Sequence, residues 1–280
     1  MIFILLAMLS IQFGASVAKN LFGFFQPEVL SFYRIFFAFI LMTFGFRIWK
    51  SSFRNLPWLR ILPYGISLGI MNLTFYLSLQ KIHLGLAVAI EFVGPLLYSS
   101  LLSRKKLDFL WIGMAALGLS LLLPELSHLF QKDLNQTESW GVVWAFVAGL
   151  FWASYIHFGS KMSQNISPQL GSYIGMGIAA LSVLPFALTK IRFESMNLKN
   201  MGFLLSVALL SSAIPYTLEL FAMKKIPPKV FGLLMSLEPV IASLAGWIVL
   251  HESLSLTQTI AIALIISASW GVTYFSERVY

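Results

Sequence analysis

Residues 77–101 read LSLQKIHLGLAVAIEFVGPLLYSSL, an apolar stretch that carries one acid, Glu91, and one helix-breaking proline, Pro95. A related stretch at residues 222–246, AMKKIPPKVFGLLMSLEPVIASLAG, carries the acid Glu238 and a matching proline. A shift of 144 residues superimposes the two prolines without a gap, although the two glutamates fall at different positions. Such similarity within one chain indicates an internal repeat, so we interpret the protein as two copies of one structural unit.

The composition is typical of an integral membrane protein. Of 280 residues, 58% are hydrophobic and 11% are charged, and the mean hydropathy is +0.83. A soluble domain of this size has more charged residues. Because the chain has no cysteine, disulfides, thiolate metal sites and cysteine nucleophiles are excluded. We attribute the net charge of +8 to short loops between membrane spans and not to nucleic-acid binding.

We therefore predict an all-α integral membrane protein with ten transmembrane helices of roughly 20 residues each. The predicted spans are residues 2–19, 29–48, 58–79, 85–102, 107–124, 139–160, 168–189, 200–222, 228–249 and 255–275. The longest connection, residues 125–138, separates a first five-helix repeat, residues 1–124, from a second, residues 139–280. Since five crossings are an odd number, the second copy must enter the membrane upside down. Two inverted repeats related by an axis in the membrane plane are a transporter architecture.

The distribution of basic residues predicts the orientation. With a cytoplasmic N-terminus, twelve lysines and arginines fall on the cytoplasmic side, six fall outside, and one lies within a span. Cytoplasmic loops carry the excess of positive charge, so both termini are predicted to be cytoplasmic. The chain starts apolar, without a basic leader or a small-residue cleavage site, and we expect the first span to be retained.

Three glutamates, Glu91, Glu219 and Glu238, fall inside predicted spans. A charged side chain at mid-membrane costs about 2.5–3.5 kcal/mol, and such residues usually mark ion or substrate paths. Removal from water also favours the protonated form of a carboxyl group. Each glutamate is therefore a candidate proton carrier or a candidate anchor for a substrate ammonium. The structural alternative, a protonated glutamate bonded to a backbone carbonyl, is strongest for Glu219, which lies near a span end.

Three prolines inside the predicted spans are expected to break helices. A proline cannot donate to the carbonyl four residues earlier, so one carbonyl loses its helical partner at each site. The pairs are Pro95 with Glu91, Pro215 with Ser211, and Pro239 with Met235. Broken helices at corresponding positions of two repeats indicate a binding site near the membrane midplane.

Polar residues on spans three and eight extend this candidate site. Asn72 and Tyr76 are four residues apart and share one helix face, and Tyr216 and Glu219 are three apart and do the same. The 144-residue shift places Asn72 on Tyr216. We expect these four residues and Ser211 to surround one substrate-binding cavity.

Two further residues join the candidate site, each with an alternative. Arg34, the one base inside a span, either pairs with an acid, holds a substrate carboxylate bidentately, or snorkels to the outer interface. Trp152 lies deep in span six, three residues before Tyr155, and either lines the cavity or packs in the core. The four histidines show no metal-binding spacing, so we expect neither a metal nor a cofactor. Glycine pairs four residues apart, Gly65 with Gly69 and Gly171 with Gly175, predict close helix packing.

Three strings carry a family resemblance: LGLAVAIEFVGPL at residues 84–96, SSAIPYTLE at 211–219 and FGLLMSLEP at 231–239. With the ten-span duplication, they make the whole chain resemble the drug/metabolite transporter superfamily, EamA type. Within it they are similar to a bacterial inner-membrane branch that exports small amino acids of the threonine/homoserine kind. The resemblance implies location in the cell inner membrane and export coupled to proton entry by antiport. On this hypothesis Glu91 alternates between a proton and the substrate ammonium, assisted by Glu238.

Other function classes stay open. A facilitator without proton coupling would carry another small solute, such as an aromatic amino acid or a purine, and its acids would be structural. A membrane enzyme or scaffold would need a catalytic constellation or a docking surface, and the short loops offer neither, so we do not expect an enzyme. The expected partners are an amino acid, protons and the lipid bilayer. We expect no nucleic acid, and an oligomer is compatible with the sequence but not required.

Overall fold

A computed structural model gives the architecture of the chain. It describes residues 2–18, 21, 23–82, 84–103, 106–122, 136–191, 197–241 and 255–277. Within these ranges all regular secondary structure is helical. The predicted all-α class is confirmed to that extent.

Twelve helices are numbered here in chain order. They are α1 Ile2–Ala18, α2 Pro27–Gly45, α3 Trp58–Leu79, α4 Leu84–Glu91, α5 Val93–Leu102, α6 Lys106–Leu122, α7 Gln136–Ser163, α8 Pro168–Ala187, α9 Leu198–Ala208, α10 Ile214–Met223, α11 Pro228–Leu234 and α12 Leu256–Glu277. A π-helical segment, Leu209–Ala213, joins α9 to α10, and residues 237–241 form a further helical turn. Every predicted span contains helical residues, and the last part of span nine, residues 242–249, lies outside the described residues.

Six helical segments of the described chain are long and apolar enough to cross a bilayer. They are Pro27–Gly45, Trp58–Leu79, Glu138–Ser163, Pro168–Lys190, Leu198–Met223 and Leu256–Phe275. The chain is therefore a multi-pass membrane protein. The count of ten spans and the inverted repeat stay predictions.

The break predicted at Pro95 separates α4 from α5. Helix α4 ends at Glu91, Phe92 forms a turn, and α5 begins at Val93. The Glu91 carbonyl, which Pro95 leaves without its usual donor, packs against α7. A Cβ placed on Gly149 of α7 would lie 2.5 Å from that carbonyl oxygen. The backbone of α7 therefore covers the broken segment directly, and only glycine permits this approach.

The prediction for Pro239 was wrong in one respect. The helix is interrupted there, since α11 ends at Leu234 and a turn follows. However, the Met235 carbonyl is not left unpaired, because the Glu238 backbone N–H donates to it at 3.0 Å. A tighter bond, three residues apart, has replaced the one that proline removed.

The third proline, Pro215, follows the π-helical segment. The backbone N–H of Ile214 donates to the Leu209 carbonyl five residues earlier, which defines the wider π turn. Single π turns occur frequently at functional sites, because one extra residue in the turn re-aims the side chains around it. Pro215 then occupies the first turn of α10, where its missing N–H is tolerated.

Small residues bring the central helices together, as predicted. Helix α3 packs along both α7 and α8, and α1 packs along α10. A Cβ on Gly65 would lie 2.6 Å from the Ile178 Cβ, and one on Gly69 would lie 2.8 Å from the Ala179 carbonyl oxygen. Close packing at the glycines of α3 is therefore confirmed.

Ion pairs join helix ends at opposite faces of the bundle. At one face, Lys229 at the start of α11 pairs with Asp108 at the start of α6, with Nζ to Oδ2 at 2.9 Å. At the other face, Lys190 after α8 pairs with Glu28 at the start of α2, with Nζ to Oε1 at 2.6 Å. Both pairs connect elements that are distant in sequence, so they fix which helix ends lie side by side.

Candidate functional site

The buried side chain of Arg34 connects four helical elements: α2, α3, the π-helical segment and α10. Its Nε donates to the Ser212 hydroxyl at 2.8 Å, and its Nη1 donates to the Tyr76 hydroxyl at 3.0 Å. Its Nη2 donates to Asn72 Oδ1 and, at 3.1 Å, to the Tyr216 hydroxyl. The Tyr216 hydroxyl donates in turn to Asn72 Oδ1 at 3.0 Å. We call Arg34 and these four partners the Arg34 cluster.

The environment of Arg34 decides between the alternatives for this residue. The side chain is only 9% exposed, and four of its five N–H donors are bonded to protein groups. The snorkelling alternative is therefore wrong. No carboxylate of the described residues lies within 4.0 Å of the guanidinium, so Arg34 makes no direct ion pair there.

Next to this cluster lies a hydrogen-bonded acid. The Tyr155 hydroxyl of α7 donates to Glu219 Oε2 of α10 at 2.9 Å, and Glu219 is 2% exposed. The Tyr155 ring contacts Tyr216 edge-on at 5.8 Å and stacks on Tyr64 at 5.1 Å. Glu219 therefore belongs to the same polar region as the Arg34 cluster. Sequence reasoning did not place Tyr155 in the site, although its spacing from Trp152 put both residues on one face of α7.

The other two intramembrane acids are not held by hydrogen bonds. Glu91 is buried at the end of α4, and Glu238 keeps partial accessibility at the break after α11. Among the described residues, neither carboxylate has a hydrogen-bond partner. The charge of Glu238 acts on Glu91, and the charge of Arg34 acts on both. The acids predicted from the two repeats therefore share one electrostatic environment.

The aromatic side chain of Trp152 lies beside the broken helix that carries Glu91. Its ring contacts Phe92 edge-on, with centroids 4.9 Å apart. The side chain is 8% exposed, and its indole N–H has no partner among the described residues. The ring therefore packs in the core, as one of the two sequence alternatives predicts, and a cavity-lining role for Trp152 stays a prediction.

The two serines of the π segment point in different directions. Ser212 accepts the Arg34 Nε–H, whereas Ser211 packs against Gly14 of α1. Ser211 was the serine predicted to bind substrate, but the structure brings its neighbour to the arginine.

A cleft of about 620 Å³ opens at the face where α7 and α10 end and α11 begins. Its lining includes Lys161, Lys224 and Lys225 together with the apolar side chain of Met223. Met223 follows Glu219 by one helical turn on α10, about 6 Å along the axis. The cleft is thus separated from the buried acid by a single turn of helix and does not itself contain the acids.

These residues form a buried cluster of polar and acidic groups. Unpaired carboxylates bind protons or ammonium groups, and the tyrosine and indole groups donate hydrogen bonds. Within the described part of the chain, no group of three or more His, Cys, Asp or Glu residues is placed to hold a metal ion.

Comparisons with known proteins agree with this architecture. Residues 139–274 match the EamA-like transporter family. The chain is 38% identical over 275 residues to the threonine/homoserine exporter RhtA of Salmonella typhimurium (strain SL1344), covering 98% of this chain and 91% of that protein. It is 38% identical over 272 residues to RhtA of Escherichia coli (strain K12), covering 97% and 90%. A crystal structure at 18% identity shares the fold with a TM-score of 0.79, covering 99% of this chain and 97% of that chain.

Proposed function

We propose a function from the premise that this chain belongs to the EamA-like transporter family, as its similarity to curated exporters along nearly its whole length establishes. The protein exports small amino acids of the threonine/homoserine kind across the bacterial inner membrane. It does so by alternating access, in exchange for protons that enter the cell, with both termini in the cytoplasm. It is a transporter and not an enzyme.

The contacts between the halves support the inverted repeat. Asn72 and Tyr216 are separated by the repeat length of 144 residues and hydrogen-bond directly. A two-fold axis relates equivalent residues, so two equivalent residues in contact lie on either side of that axis. The packing of α6 against α12 likewise joins the last helices of the two repeats, and α5 packs against α11, which belongs to the predicted span equivalent to its own. These pairings are the ones expected for two halves arranged around an axis in the membrane plane.

One observation carries the coupling mechanism: Glu91 is buried at a helix break without a hydrogen bond or an ion pair among the described residues. A buried carboxylate in this position must be neutralised by a cation or a proton. On the cytoplasmic side Glu91 releases its proton and receives the substrate ammonium. On the outer side the ammonium leaves and Glu91 takes up a proton, which returns with it. Glu238 is the second proton-coupling residue, because its charge acts on Glu91.

In this proposal the basic cleft is the entrance from the cytoplasm. The face on which it opens carries Lys161, Lys224 and Lys225, and the charge bias assigns that face to the cytoplasm. Met223 lies between the cleft and Glu219, and its sulfur packs within 2.7 Å of a Cβ built on Gly159. In the proposed cycle this contact opens to admit substrate from the cytoplasm.

The direct test is Glu91→Gln in proteoliposomes. The amide keeps the size of the side chain but can neither ionise nor exchange a proton. We expect the variant to lose threonine transport driven by a pH gradient, whereas Glu28→Gln, the same change outside the site, retains it. Undiminished gradient-driven transport by Glu91→Gln would reject the role of Glu91. Wild-type rates that ignore an imposed pH gradient would reject proton coupling and leave facilitated export.

A further inference from the structure

We infer that Arg34 is a positioning residue that ties the two repeats together at their pseudo-two-fold axis, and that it does not bind the carboxylate of the substrate. The inference rests on the inverted repeat of the proposed function and adds to it. An intramembrane arginine beside candidate ammonium-binding acids would ordinarily be assigned to the substrate carboxylate. The contacts of Arg34 indicate a structural role instead, because its partners are protein groups.

The first reason is that the donors of Arg34 are in use. Bidentate binding of a carboxylate needs two parallel N–H groups of the guanidinium. Four of the five N–H groups of Arg34 already donate to Ser212, Tyr76, Asn72 and Tyr216. The remaining N–H is on Nη1, so a substrate carboxylate would gain a bidentate contact only by displacing protein partners. The Tyr76 ring also packs against the guanidinium, with Cζ 5.4 Å from the ring centroid.

The second reason is that these bonds cross between the repeats. Arg34 and its partners Asn72 and Tyr76 belong to the first repeat, on α2 and α3. Ser212 and Tyr216 belong to the second repeat, on the π segment and α10. Two of the four bonds of Arg34 therefore connect the halves in a region from which water is largely excluded. Hydrogen bonds from a charged donor are the stronger class of hydrogen bond.

The third reason comes from the symmetry. In an inverted-repeat transporter, each half adopts the conformation of the other when the protein changes the side to which it opens. The pair Asn72–Tyr216 maps onto itself under this exchange, so its separation is the same in both end states. The pair Tyr155–Glu219 joins residues that are not equivalent to each other, so this exchange does not preserve its separation. The Asn72–Tyr216 pair therefore lies at the fixed point of the exchange, and Arg34 Nη2 donates to both of its members.

The experiment compares Arg34→Lys and Arg34→Gln with wild type, using threonine and threonine methyl ester, which lacks the carboxylate. If Arg34 positions the halves, the KM for threonine changes by no more than about twofold, and so does the preference for threonine over the ester. The kcat of transport falls at least about tenfold in both variants, because lysine keeps the charge but not the planar fork that reaches four partners. A tenfold rise in KM with loss of the preference, or restoration of kcat by lysine, would overturn the inference.

A second measurement does not depend on transport. Arg34→Lys, Ser212→Ala and the double variant form a thermodynamic cycle in thermal unfolding of the purified protein. We expect the double variant to be less destabilised than the sum of the single variants, because each change breaks the same link between the repeats. Strict additivity would refute the link even if transport behaves as proposed. Conversely, non-additivity in a protein that fails to transport threonine would uphold the link and reject the proposed substrate.

Discussion

The approach of α5 to α7 next to Glu91 leaves no room for a side chain, so Gly94→Ala is a sharp test of the site. A Cβ on Gly94 would lie 2.8 Å from the Cα of Gly149 and closer still to its carbonyl oxygen. Non-bonded carbon atoms normally stay about 3.5–4.0 Å apart. The obstacle is backbone, which cannot rotate away, so the two helices must separate by about 1 Å.

The expected loss of stability follows from this geometry. Overpacking by one methyl group typically costs about 1–3 kcal/mol, and a backbone clash belongs at the upper end of that range. Alanine recovers up to about 1 kcal/mol of helix propensity relative to glycine. We therefore expect Gly94→Ala to lower the free energy of unfolding by about 2 kcal/mol. Because Glu91 lies one turn earlier on the same broken span, its carboxylate moves as well, and a displacement of about 1 Å can reduce a rate by about 100-fold.

Two control substitutions separate the clash from the change of residue type. Gly113 of α6 has no atom within 4 Å of an added Cβ, so Gly113→Ala should be neutral or stabilising. At Gly118, also on α6, an added Cβ would lie 2.7 Å from Ile265 Cγ1 and 2.9 Å from the Ala261 carbonyl oxygen, remote from the acids. Gly118→Ala should therefore lose stability but keep its KM. Thermal unfolding in detergent and counterflow in proteoliposomes measure both effects. A Gly94→Ala protein as stable and as active as Gly113→Ala would refute the reasoning.

Three further substitutions address single contacts. Tyr155→Phe leaves the buried Glu219 carboxylate without its donor and should lower unfolding stability by about 1–3 kcal/mol in chemical denaturation; unchanged stability would mean that the bond is not formed. Trp152→Phe keeps an aromatic ring but removes the unpaired indole N–H, and the KM for threonine should rise by about tenfold, as one lost hydrogen bond predicts; a constant KM would exclude this N–H as a substrate donor. Asp108→Asn removes the partner of Lys229 and should cost about 1 kcal/mol at low salt and less at 1 M salt, and a loss independent of salt would contradict an electrostatic origin.

Much of the architecture was accessible from the sequence, because helix length and apolarity are set by the membrane itself. The two helix breaks before Pro95 and Pro239 followed from the missing N–H of proline, whereas the break expected at Pro215 was wrong, because Leu198–Met223 is one continuous helical segment. The proximity of Asn72, Tyr76 and Tyr216 followed from helical spacing and the repeat shift, and the structure does bring these residues together. Helical spacing and the missing proline N–H were sufficient where each of them allows only one local geometry.

The failures arose where a small backbone change altered the direction of a side chain. Sequence spacing could not show that Arg34 turns inward, because its length allowed either a buried or an interfacial position. Ser212, and not the predicted Ser211, contacts Arg34 because the extra residue of the π turn changes which helix face lies against the arginine. The Met235 carbonyl accepts from the Glu238 backbone N–H because the turn after α11 is tighter than an α-helical turn. None of these adjustments leaves a signal in hydropathy or residue spacing.

In the proposed mechanism, the balance of charge among these buried residues makes proton and substrate exclude one another. Arg34 carries one permanent positive charge, whereas Glu91, Glu219 and Glu238 together carry up to three negative charges. A single arginine balances one ionised carboxylate, and every further carboxylate in this environment needs a proton or a cation to avoid the cost of an uncompensated buried charge. In the proposed exchange the substrate ammonium is such a cation, and it binds where a proton has just left. A net-neutral amino acid exchanged for one proton moves one positive charge inward per cycle.

An inside-negative membrane potential should therefore accelerate export in proteoliposomes clamped with potassium and valinomycin. Export rates independent of the imposed potential would contradict one-for-one exchange at Glu91.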